Sequence, residues 1–135
     1  MIELIKNSKN ECTIYALIVA GGMGLRMQSQ IRKQYIEIAG EPILAHTLRQ
    51  FATFALISHI VLVVPEDDIS YCVDKIVLHY NFENKVSIVS GGAERQQSVR
   101  NGLKKVKEIA AAHGTSATER DDDKVLNIVL IHDAV

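Results

Sequence analysis

The feature that most constrains this chain is an apolar run that stops abruptly at a group of glycines. Residues 17–20 read Leu-Ile-Val-Ala, and glycines follow at positions 21, 22 and 24. Such a run is typical of a buried strand. The glycines let the backbone turn sharply and leave its N–H groups open to a ligand, because no Cβ stands in the way. The stretch therefore predicts a strand and a phosphate-binding loop, with an ordinary glycine turn as the alternative.

Two cations, Arg26 and Lys33, follow the glycines and could neutralise a bound phosphate. The spacing disfavours two better-known loops. A dinucleotide-binding Rossmann unit needs a third glycine where Met27 stands, and a Walker loop needs a Gly-Lys-Ser/Thr ending. The Ala-Gly-Gly-x-Gly-x-Arg-Met pattern instead resembles the signature loop of sugar-nucleotide and alditol-phosphate nucleotidyltransferases.

The composition is that of an ordinary globular chain, with 135 residues, 47% of them hydrophobic, and a net charge of −1. This balance gives no support for nucleic-acid binding, and the apolar runs are too short to cross a bilayer. Residues 1–12 are interpreted as a polar tail without a signal peptide, before one domain over 13–135. Cys12 and Cys72 lack metal-ligand spacing, so a reduced, cytoplasmic chain is expected.

Strands alternate with helices along the predicted domain. The apolar runs predict strands over residues 13–19, 59–64, 85–89 and 125–131, with a minor strand over 35–38. Helical stripes begin at residues 43, 66 and 94; the first stripe extends to Ala55, and Leu103 of the third is expected to face inward. A glycine at position 102, inside the third helix, predicts close packing there.

This alternation predicts an α/β fold with a mostly parallel sheet. The resemblance of the glycine loop implies that this is the Rossmann-like, three-layer sheet of the nucleotidyltransferases. In such sheets, ligands bind outside the carboxyl ends of the strands. The glycine loop, the Gly91-Gly92 pair and Asp133 each follow a predicted strand. They are therefore expected to meet at one edge.

Three stretches carry a narrower resemblance: residues 20–26 with 33–35, residues 91–99, and residues 132–135. In this order and at these separations, they resemble the 2-C-methyl-D-erythritol 4-phosphate cytidylyltransferase family of isoprenoid biosynthesis. The middle stretch, Gly-Gly-Ala-Glu-Arg-Gln-Gln-Ser-Val, is the specific one. A sister family, the ribitol-5-phosphate cytidylyltransferases, shares the first and last motifs and is the alternative.

The resemblance implies that the first motif holds the triphosphate of CTP. Backbone groups would hold the nucleotide, one glycine would let the loop fold over the phosphates, and two cations would act in catalysis. The backbone groups are those of Ala20, Gly21 and Gly22, and the glycine of the loop is Gly24. The two cations are Arg26 and Lys33.

The other two motifs imply a base-reading and a metal-binding role. Gly92, Ala93 and Ser98 would read the cytosine. Asp133 would lie by Mg²⁺ and the α-phosphate, and Ala134 by the ribose. The alternatives are a solvent-facing Ser98 and an Asp133 that only forms a turn. Arg95, also in the middle motif, could bind phosphate or pair with a neighbouring side chain.

The resemblance also implies that the chain is truncated on its C-terminal side, because Val135 falls inside the last motif. The missing half would complete the sheet, bind the alditol phosphate and make a homodimer, so the fourth strand is expected at an exposed edge. CTP and a small alditol phosphate are the expected partners, with no nucleic acid or membrane. An inactive nucleotide-binding fragment is a further alternative.

Overall fold

The structure, a computed structural model, describes residues 12–20, 32–113 and 126–134. Four of its strands are β1 (Cys12–Val19), β4 (Ile57–Val64), β5 (Val86–Ser90) and β6 (Leu126–Asp133). They form one sheet in the spatial order β5-β4-β1-β6, and every pair is parallel. The four predicted strands and their parallel arrangement are confirmed, and β6 lies at an edge, as expected.

Three helical segments connect the strands. Helix α1 spans Ile43–Ala52, and helix α3 spans Arg95–His113. Between them, a 3₁₀ turn over Glu66–Asp68 leads into the short helix α2 (Ile69–Cys72), which continues as a π-helical turn over Val73–Val77. None of the helices in the described ranges combines the length and apolar character that a membrane span requires.

Side chains of β1 alternate between two cores, one on each face of the sheet. Ala16 and Ile18 are buried in the core that contains Leu44 of α1. Leu17 and Val19, which point the opposite way, belong to a second core on the side of α3. Because successive residues of a strand face opposite sides, one strand serves both layers. The predicted α/β fold with three layers is confirmed.

A small hairpin replaces the predicted minor strand over 35–38. Its strands are β2 (Glu37–Ile38) and β3 (Glu41–Pro42), while Lys33–Tyr35 forms a 3₁₀ turn. Ala39 and Gly40 both have positive φ, at 53° and 79°. Two positive φ values are what a tight hairpin turn requires, so local turn geometry decided this segment.

Two predictions about helix faces were wrong. Helix α1 ends at Ala52, and Ala55 is exposed in the turn that follows. Leu103 is 40% exposed, because Gly102 and Val106 hold the buried face of α3. Successive helical residues are rotated by about 100°, so Leu103 is turned away from the face that Gly102 presents to the sheet.

Candidate nucleotide-binding site

The carboxyl ends of three neighbouring strands lie level with one another. Val19 pairs with Val63 on one side and with Asp133 on the other. Asp133 is thus the last residue of β6, which runs two residues beyond the predicted end because its pairing with β1 continues. Beyond the strands, Ala20 N donates to Val63 O at 2.8 Å and Ala134 N donates to Val19 O at 3.0 Å. These bonds hold the first and last motifs side by side.

The middle motif forms a loop that the first turns of α3 hold by hydrogen bonds. Gly92 N donates to Ser98 Oγ at 3.1 Å, and Ala93 N donates to Gln97 Oε1 at 2.8 Å. Asn101 Nδ2 donates to Ser90 O, the last residue of β5, at 3.0 Å. Ser98 is 1% exposed, so the solvent-facing alternative for this residue is wrong.

Gln97 and Asn101 are contacts that the sequence analysis missed. The two residues lie four positions apart, with Ser98 beside Gln97, in the first turns of α3. Residues four apart share one face of a helix, so this polar group after a Gly-Gly pair was a readable signal. It would have predicted that the helix binds the loop before it.

Glycine is required at both positions of the Gly91-Gly92 pair for reasons of space. A Cβ on Gly91 would lie 2.8 Å from Ser98 Oγ, and one on Gly92 would overlap the Gln97 side chain. The absence of side chains lets the loop approach α3 closely enough to form its hydrogen bonds. The pair therefore sets the shape of this loop.

Arg95 and Asp133 bring the middle and last motifs together. Arg95 Nε donates to Asp133 Oδ1 at 3.0 Å, and the two side chains are 59% and 57% exposed. Arg95, whose partner the sequence left open, therefore forms an ion pair between α3 and β6. A half-exposed carboxylate beside a cation at the end of a strand is accessible to a ligand.

Ala134 is fixed on both of its backbone groups. It is 3% exposed, its N–H donates to β1, and its carbonyl accepts from Thr47 Oγ1 of α1 at 3.0 Å. Thr47 is a further missed contact, and its side chain lies 87 positions away in sequence from the group it binds. Periodicity within α1 gives no sign of such a long-range bond.

The glycine-loop motif is described only at its two ends. Ala20 is buried at the first end, and Lys33 is exposed at the other. Gln34 joins the ends, since its Nε2 donates to Ala20 O at 3.0 Å. The remaining candidates of this motif lie outside the described residues: Gly21, Gly22, Gly24 and Arg26.

Four backbone N–H groups of the described nucleotide-binding candidates donate within the protein. Those of Ala20 and Ala134 bind neighbouring strands, whereas those of Gly92 and Ala93 bind side chains of α3. The bonds of Ala20 and Ala134 belong to the sheet and cannot be broken without disturbing it. The Gln97 side chain, in contrast, can rotate away from the Ala93 N–H. In this part of the site, a ligand would therefore use carbonyls and hydroxyls, or displace the Gln97 amide from Ala93.

Comparison with known proteins agrees with this arrangement. The family model described as IspD, 2-C-methyl-D-erythritol 4-phosphate cytidylyltransferase, matches residues 14–135. A curated protein of that name from Geobacter metallireducens is 46% identical over 122 residues, which are 90% of this chain and 47% of the relative. Another, from Clostridium acetobutylicum, is 45% identical over 118 residues, or 87% of this chain and 44% of the relative.

A solved structure shows the same fold. The 4-diphosphocytidyl-2C-methyl-D-erythritol synthase from Anaerococcus prevotii superposes with a TM-score of 0.62 at 28% sequence identity, covering 98% of this chain and 46% of that one. The chain spans about half the length of the curated relatives it matches. The match nevertheless extends over nearly all of its own residues, and the chain belongs to the 2-C-methyl-D-erythritol 4-phosphate cytidylyltransferase family.

Proposed function

We propose that this chain supplies the CTP-binding part of an enzyme that transfers a cytidylyl group to 2-C-methyl-D-erythritol 4-phosphate. One observation carries the proposal. In a chain of this family, the ends of β1, β5 and β6 lie together at one edge of the sheet, and they bring a glycine-motif end, the Gly91-Gly92 loop and Asp133 into one place. That edge is where open α/β sheets bind ligands.

The proposed reaction is a displacement at the α-phosphorus of CTP. A phosphate oxygen of the alditol phosphate forms a new bond to that phosphorus, and the bond to the bridging oxygen of the β-phosphate breaks. The products are CDP-methylerythritol and pyrophosphate, which takes the electron pair of the broken bond. The nucleophile is already an anion, so the task of the protein is to position the groups and to stabilise negative charge.

Arg26 and Lys33 are proposed as the cations that stabilise this charge. Lys33 is exposed at the end of the motif that begins at Ala20, and Gln34 ties that end to Ala20. Fixed cations aimed at the phosphates of a transition state contribute several kcal/mol in comparable sites, about 3 kcal/mol for a single donor. Arg26 is assigned from the motif alone.

Gly92, Ala93 and Ser98 are proposed to read the cytosine. Ser98 Oγ accepts a hydrogen bond from Gly92 N, which leaves the hydrogen of the hydroxyl free to donate to an acceptor on the base. The loop carbonyls can accept from the exocyclic amine of cytosine. Uracil offers an acceptor at that position, so buried polar groups left unpaired would penalise the wrong base. Ala134 is proposed to lie beside the ribose.

Mg²⁺ is proposed as the cofactor, and the residues present fit it. Asp133 offers a half-exposed carboxylate at the strand end, and oxygen is the ligand that Mg²⁺ prefers. Among the described residues, no three metal-ligating side chains form a cluster. Mg²⁺ in nucleotide sites is commonly held by one or two carboxylates together with substrate phosphates and water. When bound there, the ion would neutralise phosphate charge, while Asp133 and Arg95 hold their places at the edge.

Titration calorimetry of the 135-residue chain tests the binding half of the proposal. We expect CTP to bind in the presence of Mg²⁺, and UTP and ATP to bind at least tenfold more weakly. Equal affinity for all three nucleotides would contradict cytosine recognition. NAD binding in place of CTP would revive the dinucleotide-binding alternative.

Pyrophosphate release tests the reaction. The chain alone and the chain joined to the C-terminal half of a curated relative are each supplied with CTP and 2-C-methyl-D-erythritol 4-phosphate. Because the chain spans about half of its relatives, we expect turnover from the joined protein and CTP binding without turnover from the chain alone. Turnover with ribitol 5-phosphate only would overturn the proposed substrate.

Two further expectations belong with this proposal: a homodimer, which the resemblance implies, and a cytoplasmic location, which the cysteine pattern favours. Both cysteines are free thiols, Cys12 exposed and Cys72 buried, which suits a reducing compartment. Light scattering of the joined protein tests the first expectation, since a monomeric mass at working concentration would contradict it. Localisation of a tagged copy by cell fractionation tests the second.

A further inference from the structure

One side chain ties the two ends of the glycine-loop motif together. Gln34 donates from Nε2 to the Ala20 carbonyl at 3.0 Å, and Gln34 is only 5% exposed. Ala20 lies directly after β1, and Gln34 lies in the 3₁₀ turn Lys33–Tyr35. The place of this turn is therefore fixed relative to the carboxyl end of the central sheet.

The same turn is held from its other side by a single carboxylate oxygen. Asp68 Oδ2 accepts from Arg32 Nη1 at 2.7 Å and from the Tyr35 hydroxyl at 2.7 Å. A 3₁₀ turn has about three residues per turn, so residues three apart lie on one side of it. Arg32 caps the turn, and its carbonyl accepts from Tyr35 N at 2.9 Å, so the two residues lie together and both reach Asp68, whereas Lys33 is exposed.

The network around Asp68 is partly buried. The side chains of Arg32 and Asp68 are 24% and 16% exposed. Tyr35 OH also lies 3.3 Å from Cys72 Sγ, and because the phenol gives its hydrogen to Asp68, the thiol donates to the phenol oxygen. Burial and these bonds raise the pKa of Tyr35, which therefore stays a donor at ordinary pH.

Asp68 itself lies at the edge of the sheet that carries the candidate site. It ends the 3₁₀ turn Glu66–Asp68 that follows β4, and its N–H donates to Pro65 O at 2.9 Å. β4 is the neighbour of β1 in the sheet. Asp68 thus follows β4, and its carboxylate holds the turn Lys33–Tyr35, which belongs to the glycine-loop motif that follows β1.

We propose that Asp68 is a positioning residue for Lys33. By holding Arg32 and Tyr35 it fixes the turn between them, and the turn presents Lys33 to the phosphates of the nucleotide. This inference rests on the proposed function, in which Lys33 contacts phosphate. The competing explanation is that Asp68 only attaches the turn to the protein and affects every property of the site equally.

A double-mutant cycle on the 135-residue chain separates these explanations. The affinities of CTP and of cytidine, which lacks phosphates, are measured by calorimetry for the parent, Asp68→Ala, Lys33→Ala and the double variant. We expect Asp68→Ala to weaken CTP binding by about tenfold, as for the loss of one hydrogen bond to a charged group, and cytidine binding by less than twofold. In the Lys33→Ala background, Asp68→Ala should add almost nothing, because the group it positions is gone.

Three variants serve as controls. Asp67→Ala removes the same charge from the neighbouring, exposed position and should leave CTP affinity unchanged. Asp68→Asn keeps an acceptor oxygen and should restore part of the lost affinity. Tyr35→Phe keeps the ring and removes the hydrogen bonds of its hydroxyl to Asp68 and Cys72, so it carries the test if thermal unfolding shows that Asp68→Ala does not fold.

Each contrary result has its own meaning. Equal losses for CTP and cytidine, or full additivity in the double variant, would overturn the positioning role of Asp68. Normal CTP binding by Lys33→Ala would instead overturn the role of Lys33 in the proposed function, and the inference with it. No binding of CTP by the parent would overturn both, and this result is known before any variant is made.

Discussion

Ser98 and Gly92 form the contact that sets the geometry of the candidate cytosine loop. The Ser98 hydroxyl oxygen accepts from Gly92 N at 3.1 Å, and a Cβ on the preceding Gly91 would lie 2.8 Å from the same oxygen. One buried oxygen therefore fixes the distance between the end of β5 and the first turn of α3. A hydroxyl that accepts keeps its own hydrogen, so Ser98 can hold the loop and still donate to a base.

Ser98→Ala should lower both the stability of the chain and its affinity for CTP. The change leaves the Gly92 N–H without its acceptor and removes a donor from the site. We expect the free energy of unfolding to fall by about 1–2 kcal/mol and CTP binding to weaken by about tenfold. Urea unfolding and calorimetry measure the two effects.

Ser70→Ala is the control for this substitution, because Ser70 is exposed and lies in a different helix, α2. It should change neither quantity by more than about 0.5 kcal/mol. If Ser98→Ala lowered stability and left CTP affinity at the level of the parent, the base-reading role of Ser98 would be wrong and only its structural role would remain.

Gly102→Ala should destabilise the chain, although alanine is ordinarily the better helix former. A Cβ at this position would overlap Leu17 Cδ1 and lie 2.9 Å from Val63 Cγ2, which confirms the predicted close packing of α3. Helix propensity favours alanine by about 1 kcal/mol, and overpacking typically costs 1–3 kcal/mol. Because the contact is with two buried side chains of the central strands, we expect a net loss of about 1 kcal/mol or more.

Lys104→Ala in the same helix is the control, since Lys104 is exposed. It should leave the midpoint of urea unfolding close to that of the parent. A Gly102→Ala variant with a higher midpoint would show that α3 can move away from the sheet without cost, contrary to the packing seen here.

Local patterns predicted the sheet because its strands are apolar on both faces. The run of buried residues in β1, from Tyr15 to Val19, is readable without any tertiary information. Because the strands are parallel, their carboxyl ends lie at one edge of the sheet, and the motifs that follow them meet there. The pattern failed at the minor strand, which was predicted over residues 35–38, because Lys33–Tyr35 forms a 3₁₀ turn and the strand begins only at Glu37.

The contacts that hold the candidate site were harder to predict. Thr47 binds the Ala134 carbonyl, and Gln34 binds the Ala20 carbonyl, across 87 and 14 positions of the sequence. Such bonds depend on how the elements pack, and a single polar residue forms no repeating pattern by which the sequence could reveal its partner. The π-helical turn over Val73–Val77 was likewise not predicted from the sequence. The sequence therefore indicates the chemistry of the site better than the residues that support it.

Lys33→Ala, tested in the chain joined to the second half of a relative, should lower turnover by about a hundredfold, or about 3 kcal/mol. Arg26→Ala should have an effect of the same size. Both changes remove a charge that the proposed transition state needs more than the bound substrates do. Pyrophosphate release at saturating CTP measures the loss, with Lys104→Ala as the charge-matched control. A near-normal rate in either variant would refute its assignment.

Asp133→Asn should weaken the Mg²⁺-dependent part of CTP binding and leave stability nearly unchanged. Its ion pair with Arg95 is more than half exposed on both sides, and such pairs contribute little to stability. We expect CTP affinity at saturating Mg²⁺ to fall by about tenfold, or about 1.4 kcal/mol. Asp74→Asn is the control, as Asp74 is exposed in the segment after α2. Equal affinities at every Mg²⁺ concentration would remove Asp133 from the metal site.

Stability should fall at alkaline pH because of the buried Cys72 thiol. Burial, as the largest cause, raises the pKa of Cys72 from its ordinary value of 9.0 to about 11. The unfolded chain therefore loses this proton at lower pH than the folded chain. The contribution of the protonated Cys72 thiol to the free energy of unfolding is fully present below pH 9 and is lost as the pH rises toward 11. This free energy therefore falls by about 3 kcal/mol at most. Urea unfolding at pH 8, 9, 10 and 11 measures the slope.

The comparison of two cysteine variants isolates this effect. Cys72→Ala creates a small cavity and lowers stability at every pH, but its stability should fall less steeply than that of the parent between pH 9 and 11. Cys12→Ser changes an exposed thiol and should keep the parental slope. The raised pKa of Tyr35, which burial also causes, acts in the same direction at higher pH, so the Cys72→Ala curve should still bend downward there. Identical slopes for the parent and Cys72→Ala would show that the thiol does not titrate differently in the folded and unfolded chains.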